Sequence, residues 1–208
     1  MQTLFLLEST PKFPTALNCV SKDLRHHRPF NEGYLSGRVH QENDSLLPEG
    51  KTIMSGRWVT SAPFHGSGHA NSCFISGIFD TLVKFEDGGY GIVDFKTTTP
   101  AEHHAAFYGR QLHAYAFALE NAALGKLQVE PVTHMGLLCF DPTSMTEETA
   151  ANLSLTGPAI WVDIPVNMQG FERFLDEVLA LLELPEPPEA SSNCGFCVYR
   201  AESRNTLF

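Results

Sequence analysis

Two apolar runs separated by Glu86-Asp87-Gly88-Gly89 constrain this chain more than any other feature. Upstream, Cys73-Phe74-Ile75, Ile78-Phe79 and Leu82-Val83 alternate too imperfectly for a strand wetted on one face, and residues 72–85 read as a strand buried on both. Downstream, Tyr90-Gly91-Ile92-Val93-Asp94-Phe95 is a strand again. The two glycines between them accept positive φ, so the chain turns back and the runs pair as an antiparallel hairpin.

The remainder alternates helix and strand. Pro100 stands where a helix start tolerates it, and Ala105, Tyr108, Leu112, Tyr115, Ala116 and Leu119 recur at helical spacing, which predicts a helix over 101–123. Val132 to Phe140 and Ile160 to Val166 read as a third and a fourth strand. Phe171, Phe174, Leu175, Val178 and Leu182 form the apolar stripe of a helix running to Leu184. Before residue 60 the pattern is weak, although Tyr34 to Gln41 has room for one or two helical turns. Leu184-Pro185-Glu186-Pro187-Pro188-Glu189 cannot continue a helix and reads as a linker to a short tail. These are the elements of one α/β domain, a mixed β-sheet flanked by helices, and 208 residues suffice for such a core without a disulfide or metal staple.

Asp80 falls at the end of one hairpin strand and Asp94 near the end of the other, with Lys96 two residues on. Alternation puts Asp94 and Lys96 on one face, about 6–7 Å apart along the strand. Two carboxylates from adjacent strands can hold Mg²⁺ or Mn²⁺ through oxygen, while an ammonium sits beside an attacking water and a phosphate. Strand ends also carry Asp and Lys for no chemical reason, so the pair alone is an ordinary feature.

The context is not ordinary. Gly77-Ile78-Phe79-Asp80, then Ile92-Val93-Asp94-Phe95-Lys96-Thr97, then Gln111-Leu112-His113-Ala114-Tyr115, preceded by Gly37-Arg38-Val39-His40, resemble the RecB-like branch of the PD-(D/E)XK nuclease superfamily. The four motifs stand in that branch's order over residues 37–115. Position 79 is Phe, where the superfamily name has proline. The resemblance implies a restriction-endonuclease-like fold over 1–184, with 185–208 as a proline-rich linker and a tail packing back on the domain. His40, Asp80 and Asp94 would then be metal ligands, joined by the main-chain carbonyl of Phe95. Lys96 would orient the water and stabilise phosphate charge, and Gln111 and Tyr115 would contact nucleic acid. His65 and His69 compete with His40 for its role; His103, His104, His113 and His134 read as surface or packing residues.

The implied activity is metal-dependent hydrolysis of DNA, as an exonuclease acting on ends or single strands. A catalytically inactive member serving as a nucleic-acid clamp or scaffold in a repair or CRISPR complex is the alternative. In some RecB-like nucleases, one early cysteine and three late ones hold an iron–sulfur cluster. Here Cys19 and the Cys194/Cys197 pair match, while Ser203 occupies the place of the last cysteine. An iron–sulfur cluster, a zinc ion completed by histidine, and a tail without metal all stay open. Cys73 and Cys139 lie in apolar strands and read as small hydrophobes.

Charge narrows the mode of binding. The net charge is −10, from 14 Lys and Arg against 24 Asp and Glu, which disfavours a protein that coats duplex phosphates. Residues 1–60 are the exception, with seven basic side chains against six acidic ones. A narrow, locally positive channel, or a partner protein that brings the DNA, fits this balance. No recognition helix or zinc finger is apparent, so base-specific readout has no carrier. No apolar run approaches the length of a membrane span, the N-terminus lacks a signal-peptide core, and the odd cysteine number suits reduced thiols; a cytoplasmic protein is expected.

Overall fold

The computed structural model describes residues 4–8, 50–149, 152–191 and 193–205. Ten strands and three helices follow in order. They are β1 (Leu4–Glu8), β2 (Gly50–Ser55), β3 (Trp58–Thr60), β4 (Ser72–Ile78), β5 (Thr81–Phe85), β6 (Tyr90–Thr97), α1 (Glu102–Glu120), β7 (Val132–Phe140), β8 (Ser144–Thr149), β9 (Asn152–Thr156), β10 (Ala159–Asp163), α2 (Met168–Leu182) and α3 (Gly195–Asn205). Five strands form the main sheet in the order β10-β7-β6-β5-β2, and β1-β4-β3 form a smaller antiparallel sheet. Within the main sheet β6 and β7 are parallel, joined by the crossover helix α1, and the other pairs are antiparallel.

The expected hairpin exists as β5 and β6, with Gly88 of the turn at φ 90°. Its first strand is not continuous over 72–85, however. The chain breaks at Phe79-Asp80, and β4 belongs to the small sheet while β5 belongs to the large one. The partner ribbon bends at the same level. Ser55 pairs with Thr81 and Trp58 with Ile78, while Gly56, at φ 59°, turns the chain between them. Gly56 N–H donates to Asp80 C=O at 2.8 Å and Phe79 N–H to Arg57 C=O at 3.3 Å. An apolar pattern records burial and not which neighbour a strand pairs with, so the switch between sheets is invisible to it.

Alternation along the strands sorts the core. Leu82, Ile92, Met135 and Leu137 face α1, where they pack with Leu112, Tyr115 and Leu119. Val83, Phe85 and Val93 form a second cluster with Phe95, Leu138 and Trp161 on the opposite side of the sheet. Helix α1 packs across both sheets, and α2 lies against α1 and β4. Helix α2 begins earlier than its apolar stripe suggests, because the Asn167 side chain caps it by accepting from Gly170 N–H. Strands β2 and β3 and the polar hairpin β8–β9 have no apolar alternation to announce them. The cysteine tail is helical in α3. The segment 34–41 lies outside the described residues.

Candidate active site

On β6 the face that meets α1 carries Ile92, then Asp94, then Lys96. The same alternation that buries Ile92 in the core therefore brings a carboxylate and an ammonium to the strand's C-terminal end. Lys96 Nζ and Asp94 Oδ2 form an ion pair, with Asp94 only 1% exposed. Asp80 enters from the bend before β5. Its Oδ2 accepts from Phe95 N–H at 3.1 Å, so the two acidic side chains share one pocket.

That N–H is free for a carboxylate because β5 ends, as a ladder partner, with Thr81 opposite Val93. A strand residue's N–H and C=O point to the same side, so the Phe95 carbonyl also faces the side on which Asp80 lies. Burial and the neighbouring Asp94 charge, in that order, push the Asp80 carboxyl up to about 7.

Helix α1 closes the pocket. Gln111 Nε2 donates to Asp94 Oδ1 at 3.4 Å and to the Tyr115 hydroxyl at 3.0 Å. Tyr115 is fully buried, and its ring occupies the space over Gly77, where a Cβ would come within 2.9 Å of Cε1. Gly77 thus makes room for the tyrosine that anchors the glutamine. Tyr108, one turn before Gln111, places its ring 4.5 Å from Lys96 Nζ. Helical periodicity alone places Tyr108 on the helix's packing stripe; its spacing of three from Gln111 and seven from Tyr115 is the signal that puts it on the site's face.

Asp80, Asp94, Phe95, Lys96, Gln111 and Tyr115 therefore come together. His40 and Cys19 lie outside the described residues. Among the described residues no three His, Cys, Asp or Glu side chains converge. Of the competing histidines, His69 pairs with Glu183 and so belongs to a structural contact. His113 bridges helices, bonded to Gly109 C=O and to Asn167 N–H and stacked on Phe171, and His134 packs edge-on against Phe85.

Cys194 and Cys197 flank the start of α3. The Cys194 thiol is lowered by the Cys197 N–H and then by the Cys197 thiol, while sharing that hydrogen raises Cys197. Ser203 spends its hydroxyl on the Arg200 carbonyl at 3.1 Å. Cys73 and Cys139 are buried free thiols, as their strand positions imply. No described helix is long and apolar enough to cross a membrane.

A mixed sheet whose central parallel pair carries a carboxylate and a lysine at the end of one strand, met by a second carboxylate from the bend before the neighbouring strand, is the architecture of a metal-dependent nuclease fold. The description of the PD-(D/E)XK nuclease superfamily matches residues 11–201, and the chain belongs to that superfamily. Its members are generally metal-dependent nucleases acting on nucleic acid. Among solved structures, the crystal structure of SSO0001 is similar, with 14% identity over 87% of this chain and 68% of the other and a TM-score of 0.44. No curated protein matches the chain.

Proposed function

We propose that the protein is a divalent-metal-dependent deoxyribonuclease of the RecB-like branch that degrades DNA from ends or in single strands. The observation that carries this reading is the convergence of Asp80, Asp94 and Lys96 on the pocket closed by Gln111. The donor set fits a hard dication: two carboxylates share a pocket, and burial together with the Asp94 charge holds Asp80 partly protonated, a conflict that a cation removes. Asp80, Asp94, the Phe95 carbonyl and His40 would hold Mg²⁺ or Mn²⁺. When bound, that ion supplies a polarised water and neutralises charge on the scissile phosphate.

The chain's own groups do the rest. Lys96, at the same strand end as Asp94, would meet the phosphate and the attacking water. Gln111 fixes the rotamer of Asp94, and Tyr115, locked over Gly77, fixes Gln111. The acidic total charge supports recognition of ends and unpaired strands over broad duplex binding. The four free thiols among the described residues suit a reducing cytoplasm.

Cys194 and Cys197 would provide two thiolates to an iron–sulfur cluster or a zinc site, with Cys19 a third. Iron and zinc analysis of anaerobically purified protein separates these readings from a metal-free tail. The function itself is tested by digestion of end-labelled single- and double-stranded DNA with Mg²⁺ or Mn²⁺, comparing wild type with Lys96→Ala. Cleavage by the wild type alone is expected. Equal cleavage by both removes the assigned site, and none by either favours the inactive scaffold.

A further inference from the structure

The face of α1 that closes the pocket does not stop at Gln111. Tyr115, Gln111 and Phe107 are spaced by four residues and so lie in one row, each about 6 Å further along the axis. Exposure rises along that row: Tyr115 is fully buried, Gln111 is half-buried beside Asp94, and Phe107 is 73% exposed. The row runs from the core, past Asp94, out to solvent.

An exposed phenylalanine there is held in place. Its ring meets Tyr108 edge to face, with centroids 5.0 Å apart and planes at 89°, and Tyr108 in turn carries Lys96 Nζ over its ring. Phe107 is therefore coupled through one ring to the lysine of the site, and a perpendicular pairing leaves at least one of its faces open to solvent. The net charge of −10 disfavours broad phosphate binding, so contacts that need no cation gain weight in holding a strand. Stacking on an aromatic ring is such a contact. It tolerates any base, and it is open only to bases that are unpaired.

We propose that Phe107, braced by Tyr108, is the stacking platform for an unpaired base of the substrate strand, next to the phosphate held over Asp80 and Asp94, and that it makes the site prefer single strands to duplex. This rests on the nuclease reading above. The platform is a specificity residue, and Tyr108 positions both it and Lys96.

The test is a Phe107→Trp variant titrated with single-stranded oligothymidylate in Ca²⁺, the wild type with its own Trp58 and Trp161 giving the background. Emission from the new indole should be quenched beyond that background. In Mg²⁺ or Mn²⁺, Phe107→Ala should lower the ratio of kcat/KM on single-stranded DNA to that on duplex by roughly tenfold or more, mainly through KM, with Phe107→Trp restoring it. An unquenched indole, or an unchanged ratio with cleavage intact, overturns the platform and leaves the nuclease assignment standing. Quenching in a protein that cuts no DNA keeps the platform and removes the nuclease. An apolar partner protein that quenches the indole where DNA does not would instead mark Phe107 as a protein contact and overturn the proposal.

Discussion

Phe95 N–H donates to Asp80 Oδ2 at 3.1 Å, tying the carboxylate of the bend to the strand that carries Asp94. The bond favours a charged Asp80, yet burial and the Asp94 charge outweigh it and hold the carboxyl near 7. Because the folded value lies above the ordinary value of 3.8, between about pH 4 and pH 7 the native protein keeps a proton there that the unfolded chain has already released. Stability of the metal-free protein should fall across that window, by on the order of a few kcal/mol from this site. Asp80→Asn keeps an oxygen acceptor for Phe95 and carries no charge, so it should flatten that part of the profile and be the more stable protein at pH 8. Urea midpoints of both proteins at pH 5 and pH 8 check this; parallel profiles would show that Asp80 is not the strained group.

The same conflict makes a dication stabilising. Mg²⁺ or Mn²⁺ should raise the wild-type Tm at pH 8, and more weakly at pH 5, where Asp80 must first lose its proton. Neither Asp80→Asn nor Asp94→Asn should respond comparably, and EDTA should stop cleavage with the circular dichroism unchanged. A metal-induced shift of equal size in all three proteins would place the ion elsewhere.

Removing a charged group from the site should cost cleavage far more than folding. Asp94→Ala and Lys96→Ala are each expected to lose roughly 100-fold or more in kcat, the scale on which a preorganised charge acts in a water-poor site. His40→Ala should lose less, since an imidazole contributes no formal charge toward neutralising the ion. Single-turnover rates at saturating metal rank the three variants, and complete loss in His40→Ala contradicts the order.

How far the site can be read from the sequence depends on the kind of residue. Asp94 and Lys96 are legible because strand alternation alone puts them on one face, and Gln111 and Tyr115 because helical spacing does. Asp80 is legible as a strand end but not as a bend between two sheets, which is fixed by Gly56 and by ladder partners some twenty residues upstream. Tyr108 and Phe107 hide because an aromatic at helical spacing describes a core stripe and a site rim equally well. Strands β8 and β9 are held by pairing, and β2 and β3 bury single residues such as Val59 and not an alternating row, so a hydrophobic pattern cannot find them.

Gly77 offers a test that touches no charged group. Its missing side chain is where the Tyr115 ring lies, and a methyl there would meet Cε1 at 2.9 Å. The ring is fully buried and has little freedom to retreat, so Gly77→Ala should destabilise the fold by about 1–3 kcal/mol, the range for overpacking. By displacing the Tyr115 hydroxyl it should also free Gln111 from Asp94 and lower kcat with little change in KM. A Tyr115→Phe variant, which deletes the hydroxyl and keeps the ring, should lower kcat without the stability loss. If Gly77→Ala loses stability but retains the wild-type kcat, the Tyr115–Gln111–Asp94 chain has no part in catalysis.

Glu183, just beyond α2, holds the loop that leads into β4. Asn71 N–H and its side-chain amide donate to Oε1 at 2.8 and 3.0 Å, and His69 Nδ1 lies 3.1 Å from Oε2. The Asn71 N–H first, and then His69, lower the Glu183 carboxyl below its ordinary 4.5. A depressed carboxylate stabilises the fold above its unfolded value, and that stabilisation is lost as pH falls through the folded one. Glu183→Gln should therefore melt at a lower temperature than the wild type at pH 6 to 7, and the difference should shrink below about pH 4 as the wild-type carboxyl takes up its proton. Its kcat on DNA should stay at the wild-type level, since the hydrogen bonds it changes are to His69 and Asn71 and not to a residue of the Asp80 pocket. A Tm difference independent of pH would assign the contact to hydrogen bonding without charge, and a lost kcat would tie this loop to the site.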